Sequence, residues 1–278
     1  MKRISLLDLP VDCLTFKETI QRVDQLLRTP GLKWGVTLNP EISIFAQFDS
    51  ELKEVIQKSN LVTADGIALQ WAASYLKDRS SCNWIATLFT GVKFYLSKKY
   101  RRKIIPERVT GVDLIRFLFA LCAKRGYRVF LLGGKKGVAE ELKEKLQDKY
   151  PKIQIVGATD GFEIDLDDGE LEIEEKEREN RVISEIKKTK PHLLLVAFGP
   201  PKQERWIYQN QNKLKDVKLA MGIGGTFDFL TGHAKRAPKI IQKIGIEYIW
   251  RLFTQPKRFK RMIATMPKFI RLIKKQKC

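Results

Sequence analysis

The chain has 278 residues, 44% of them hydrophobic, enough to bury the core of one large α/β domain or two small ones, which excludes disorder as its main state. Its 52 Lys and Arg against 32 Asp and Glu give a formal charge of +20, which points to an anionic partner such as nucleic acid, lipid headgroups or a phosphorylated ligand. The excess sits in two segments: residues 77–108 hold nine basic and two acidic side chains, residues 231–278 hold fourteen and one, and the remainder balances at 29 each, so a neutral body carries two basic attachments.

At the N-terminus an apolar stretch is broken by Asp8, Pro10 and Asp12, which does not make a secretory signal, and a cytoplasmic location follows as the expectation. Thr15 caps a predicted helix to about Arg28, and Trp34 to Leu38 reads as a buried strand ending at Asn39-Pro40. One helical stretch runs on through Lys58, followed by a strand over Leu61 to Thr63, the turn Ala64-Asp65-Gly66, and a helix to about Leu76. The segment Cys82 to Lys103 is rich in aromatic and basic residues. Its weakly charged run, Trp84 to Leu96, falls short of the roughly 18 to 20 apolar residues of a spanning helix, so membrane contact should be peripheral. Beyond it, helices are predicted over Val112 to Arg125, after the turn at Gly133 to Gly137 as far as Tyr150, near Glu174 to Lys188 and from Lys202. The intervening strands are Tyr127 to Leu132, Ile153 to Val156, His192 to Phe198 and Val217 to Ile223.

Apolar strands alternating with helices predict an α/β fold with a Rossmann-like parallel sheet covered on both faces, in which ligands bind beyond the carboxyl ends of the strands. The expected organisation is a body over residues 1–237, with a basic aromatic insertion at about 78–105, and a helical C-terminal appendage over 238–278. In that appendage Pro256 and Pro267 break the chain into short amphipathic helices. Cys13, Cys82, Cys122 and Cys278 lie far apart without a CxxC pair, and only His192 and His233 supply imidazole. No zinc-ligand spacing exists, and a reducing compartment is the default.

Several groups could carry chemistry. Gly133 and Gly134, with Gly137 before a helix, can present N–H groups to a phosphate or form only a tight turn. The glycines at 222, 224 and 225 also follow a strand, and Asp228 nearby could bind a sugar or ribose hydroxyl. Asp65 reads either as a helix cap or as a catalytic acid/base. Thr37, Asn39, Asp65 and Gln203 all fall at or just beyond predicted strand ends, so one cleft could collect them, although Gln203 and Glu204 also suit a helix start. The tail mixes Trp250, Phe253, Phe259, Phe269 and Ile273 with Lys and Arg. This composition favours an anionic membrane surface over a nucleic-acid groove, which would leave the apolar face unexplained.

Read in order, TLNPE at Thr37 to Glu41, ADGI at Ala64 to Ile67, ERVTGVDL at Glu107 to Leu114, LLGG at Leu131 to Gly134, FGPPKQERW at Phe198 to Trp206, GIGGTFDFLTG at Gly222 to Gly232, and RAP followed by GIEYIWRLFTQPKRFKR resemble the WecG/TagA/CpsF glycosyltransferases. The resemblance covers nearly the whole chain. It implies inverting transfer of N-acetylmannosamine, or a related sugar, from a UDP donor to an N-acetylglucosamine on undecaprenyl diphosphate, in teichoic acid or other envelope polysaccharide synthesis. It also implies no metal cofactor and a peripheral position at the inner membrane face, and it leaves self-association open. Carried over by motif, Asp65 is the general base, Thr37, Asn39 and Gln203 bind substrate, Arg108 binds phosphate, Gly133, Gly134 and Asp228 contact the nucleotide, and Arg251, Arg258 and Arg261 neutralise a diphosphate. The insertion departs from the family pattern. Two other readings stay open: the same chemistry with a uronic acid or hexose donor, and a non-catalytic basic scaffold for membrane or nucleic acid.

Overall fold

The computed structural model describes residues 2–80, 83–164, 173–244, 247, 250, 254 and 256–278, with the backbone alone for 240, 243, 244 and 256–262. The chain opens on an antiparallel hairpin, β1 (Arg3–Leu6) and β2 (Leu9–Asp12), which the residue pattern does not predict. Its turn residues, Leu7 and Asp8, both take positive φ, 55° and 60°, the backbone twist that suits a two-residue hairpin turn. Pro10 masks the strand signal, because proline in an apolar run argues against a central strand. The hairpin is pinned by buried Asp12, which accepts Arg3 Nε at 2.7 Å and the Val62 N–H at 2.8 Å.

Helix α1 (Phe16–Arg28) begins at Thr15 with a reciprocal Thr15–Glu18 capping box. Strand β3 (Lys33–Leu38) leads to α2 (Pro40–Phe45), and a second cap at Asp49 starts α3 (Ser50–Gln57), so the expected single helix is two. There follow β4 (Leu61–Ala64), α4 (Ile67–Leu76), α5 (Trp84–Leu96), α6 (Lys98–Arg101), α7 (Gly111–Arg125), β5 (Arg128–Gly133), α8 (Val138–Lys149) and β6 (Gln154–Thr159). The chain continues through α9 (Ile173–Thr189), β7 (Leu193–Ala197), α10 (Lys202–Gln209), β8 (Leu219–Gly222), α11 (Thr226–Thr231), α12 (Lys239–Ile244) and α13 (Pro256–Lys277).

Strands β3 to β8 form one sheet in the order β4-β3-β8-β7-β5-β6, and every pairing is parallel. Successive residues of β5 serve opposite cores. Val129 and Leu131 pack with α7 and α8 residues such as Leu118 and Leu142, while Phe130 and Leu132 pack with Ile183 and Trp206 of α9 and α10. Both faces are therefore buried, as the continuous apolar strands predict.

The appendage differs from expectation. Pro256 occupies the first helical position, where its missing N–H would have no partner in any case, and α13 then runs unbroken through Pro267. An interior proline costs about 3 kcal/mol. Here Phe269 and Ile273, four residues apart, are fully buried among Val36, Leu38 and Ile42, and this tertiary burial holds the helix together. Gln276 also accepts the Leu7 N–H at 2.9 Å, tying the end of α13 to the hairpin turn. Cys13 and Cys122 are free thiols, whereas Cys278 is disulfide-bonded, which the dispersed spacing does not anticipate. Among the described residues no helix is long and apolar enough to cross a membrane.

Candidate active site

A cleft of about 260 Å³ lies beyond the carboxyl ends of β3, β4, β7 and β8, where an open parallel sheet places its ligands. Its floor is set by β3 and β4, which pair Thr37 with Thr63 and Leu38 with Ala64. Thr37 is buried at this floor. Asn39 lines the cleft while its amide oxygen caps α2, accepting the Ile42 N–H at 3.0 Å.

The strand ladder reaches Asp65, whose N–H donates to the Leu38 carbonyl at 2.7 Å. Gly66 then turns at φ 126°, a conformation open to glycine, and itself occupies the cap position of α4 without any side-chain cap bond. Asp65 is therefore not the cap of α4. Its carboxylate points across the cleft to the start of α7 and accepts the Gly111 N–H at 3.3 Å. A Cβ on Gly111 would sit 3.6 Å from Thr37, 3.7 Å from the Asp65 carboxylate and 3.8 Å from the Thr226 hydroxyl, so these three polar side chains surround one small residue.

Gln203 lines the opposite wall, and both ends of its amide are engaged by the protein. The oxygen accepts the N–H groups of Gly199 at 3.1 Å and Gly224 at 2.9 Å, and the nitrogen donates to Glu204 at 2.7 Å. Glu204 is buried, and desolvation raises its carboxyl to about 7. Gly222 makes room for the pair: a Cβ there would fall 2.7 Å from both side chains. In this arrangement Gln203 shapes the cleft by joining the loops after β7 and β8.

Positive charge enters from Arg108, which lines the cleft and pairs with Glu247 at 2.7 Å while donating to the Gln242 carbonyl at 3.2 Å. A smaller pocket of about 50 Å³ shares Asp65 and Glu247 with the cleft and adds Lys235 and Arg236. Arg236 grips Asp113 through both guanidinium nitrogens and the Thr110 hydroxyl at 3.2 Å. Although burial opposes ionisation there, Arg236 and Thr110 hold the Asp113 carboxyl below its ordinary range, and Asp113, Glu247 and Asp65 in turn favour the charged guanidinium.

A cleft of this make-up, with the Asp65 carboxylate and Thr37 hydroxyl at strand ends and the Arg108 guanidinium beside them, suits transfer of a group from a phosphate leaving group. The sequence model of the glycosyl transferase WecG/TagA/CpsF family matches residues 4–89 and 85–278. The chain belongs to this family. It is also 29% identical over 240 residues to the N-acetylglucosaminyldiphosphoundecaprenol N-acetyl-beta-D-mannosaminyltransferase of Bacillus subtilis (strain 168), covering 86% of this chain and 78% of that relative.

Of the residues singled out by the family motifs, Thr37, Asn39, Asp65, Arg108 and Gln203 meet in this cleft. Gly133, Gly134 and Asp228 do not line it. Gly133 abuts the end of β7, a Cβ there falling 3.0 Å from the Ala197 backbone, Gly134 lies against Phe227, and both take positive φ, 95° and 94°, so the turn itself calls for glycine at each. Asp228 lies in the first turn of α11. Arg258 and Arg261 belong to the first turns of α13, and Arg251 lies outside the described residues. Sequence reasoning missed Thr226, Glu247, Thr265 and Met266, which also line the cleft. Glu247 carries a legible signal: it is the single acid in residues 231–278.

Proposed function

We propose that this protein moves N-acetylmannosamine, or a closely related sugar, from a UDP donor to the N-acetylglucosamine of a lipid-linked diphosphate acceptor, inverting the anomeric centre. The observation that carries the reading is the Asp65 carboxylate, which does not cap the helix that follows it and instead meets the Gly111 N–H across the cleft, beside Thr37 and Thr226. The B. subtilis relative's name supplies the sugar and the acceptor.

Asp65 takes the proton of the acceptor hydroxyl as its oxygen attacks the anomeric carbon. The bond from that carbon to the diphosphate oxygen breaks, and UDP leaves with the electron pair. Arg108 faces the departing charge, and Arg261 and Arg258, four and seven positions before the cleft residue Thr265 on α13, add to it. With this cationic set the transfer runs without a divalent cation, and turnover should survive EDTA. The acceptor's lipid places the enzyme at the inner, anionic face of the membrane, which the basic tail suits.

The decisive experiment incubates the purified chain with a panel of UDP-sugars and a short-chain lipid-diphosphate acceptor and identifies products by mass spectrometry. A disaccharide formed from UDP-N-acetylmannosamine is expected. Absence of any transferred sugar across the panel overturns the reading.

A further inference from the structure

Helix α5 is amphipathic in the opposite sense to a helix of a water-soluble surface. Its inward face buries the hydroxyls of Thr87 and Thr90 beside Phe94. Its outward face carries Trp84, Leu88, Phe89 and Leu96 at 66%, 66%, 70% and 82% exposure, with Ile85 and Val92 between them. At 3.6 residues per turn these six positions span an arc of about 140°. Soluble monomers rarely leave a contiguous apolar patch of this kind facing water. The rotation of the helix is fixed from outside it: Thr87 Oγ1 meets the Tyr75 hydroxyl of α4 at 3.2 Å, and Phe94 is fully buried on the same face.

We infer that α5 is a membrane-docking helix whose Trp84–Leu96 face inserts into the headgroup region of an anionic bilayer. Charge chooses the occupant. Residues 84–103 contain six Lys and Arg and no acid, and the basic cluster from Lys98 to Lys103 follows at the end of the apolar face. A second copy of the chain would set like-charged rims against each other in a two-fold contact, whereas anionic phospholipid satisfies the apolar face and its rim together. Thirteen residues make a rod of roughly 20 Å, shorter than the ~30 Å hydrocarbon core, so the helix lies along the surface.

The docking face is joined to the cleft at two points. Helix α4, whose first residues line the cleft, holds α5 through the Tyr75–Thr87 contact, and α13, which contributes Thr265 and Met266 to the cleft, places Lys274 4.2 Å above the Trp84 ring. Resting on the lipid-linked acceptor proposed above, this geometry fixes the cleft relative to the bilayer from which the acceptor comes.

The test uses the full chain with Leu88→Ser, Phe89→Ser and Leu96→Ser together, three exposed positions whose replacement leaves the core intact. Partition is measured by co-sedimentation with phosphatidylglycerol/phosphatidylcholine vesicles and with phosphatidylcholine vesicles. The parent should prefer the anionic vesicles, and the triple variant should lose at least about tenfold in binding at unchanged net charge. Turnover on a water-soluble short-chain acceptor should stay at the parent level while turnover on vesicle-embedded acceptor falls. Anionic-vesicle binding of the triple variant within twofold of the parent overturns the inference, as does a parent dimer that the substitutions dissolve without changing vesicle binding. A parent that docks on vesicles but transfers no sugar would sink the transferase reading and leave the docking helix standing.

Discussion

The side-chain oxygen of Gln203 accepts the Gly224 N–H at 2.9 Å, so the loop after β8 is held to the helix after β7 by a buried amide. Glu204 holds that amide in turn, accepting its nitrogen at 2.7 Å. The bond explains why a polar pair sits behind the cleft: a loop rich in glycine has no side chains of its own to fix it, and two backbone N–H groups need an acceptor away from water.

This pair makes folding stability depend on pH. Burial lifts the Glu204 carboxyl from 4.5 to about 7, so between those values the native state binds a proton that the unfolded chain has lost. Its contribution is fully present below about 4.5 and is lost as pH rises to about 7. Glu204→Gln keeps an oxygen for the Gln203 amide and removes the titration. Urea unfolding of both proteins from pH 4.5 to 8 should give a stability difference that grows across this window in favour of the variant. A constant difference would mean that Glu204 stays ionised in the fold.

Asp65→Asn should abolish most transfer and leave the fold intact. The new amide can still present an oxygen to the Gly111 N–H, so the contact at 3.3 Å survives, but it cannot take the acceptor proton. Loss of a general base costs about 10² to 10⁴ in rate. Steady-state turnover together with UDP affinity checks this: kcat should collapse while the dissociation constant stays put. Near-parental kcat would remove Asp65 from the mechanism.

Much of this site is legible in the sequence itself. The strands and their order of appearance follow from apolar runs bounded by turns, and the gathering of Thr37, Asn39 and Asp65 in one cleft follows from a parallel sheet that aligns strand ends. Two features are not legible. The hairpin around Leu7 and Asp8 depends on positive φ at residues that seldom adopt it. The unbroken course of α13 depends on Phe269 and Ile273 reaching a core built by residues more than 150 positions away, which local propensity cannot register. For the same reason the motif marks Gln203 as a site residue without revealing that its amide serves the loops.

That distant packing gives α13 a measurable role. Phe269 is fully buried, and Phe269→Ala should destabilise the protein by about 3–5 kcal/mol. Because Thr265 and Met266 lie one turn earlier on the same helix and line the cleft, the loosened wall should also raise KM at a temperature where the variant remains folded. Denaturant unfolding and acceptor titration measure the two effects. A stability change under about 1 kcal/mol would place the C-terminal turns outside the cooperative core.

On the proposed reading, in which the cleft takes a diphosphate, the Arg108–Glu247 contact should set how strongly it does so. The two side chains are 2.7 Å apart and each is 20% exposed, so the carboxylate offsets the charge of the guanidinium that lines the cleft. Glu247→Gln preserves the size and shape of the side chain but removes the charge that offsets the guanidinium. At an effective dielectric near 20, one added charge a few ångströms from a diphosphate, discounted for partial exposure, is worth on the order of 1 kcal/mol. UDP should therefore bind roughly fivefold more tightly to the variant, with a steeper dependence on salt, while Arg108→Ala weakens binding. Calorimetric titration with UDP at two ionic strengths reads both. If Glu247→Gln lowers the unfolding midpoint and leaves UDP affinity unchanged at either salt, the ion pair only fastens the basic tail to the body, and the charge that receives the departing diphosphate must come from Arg258, Arg261 or their neighbours.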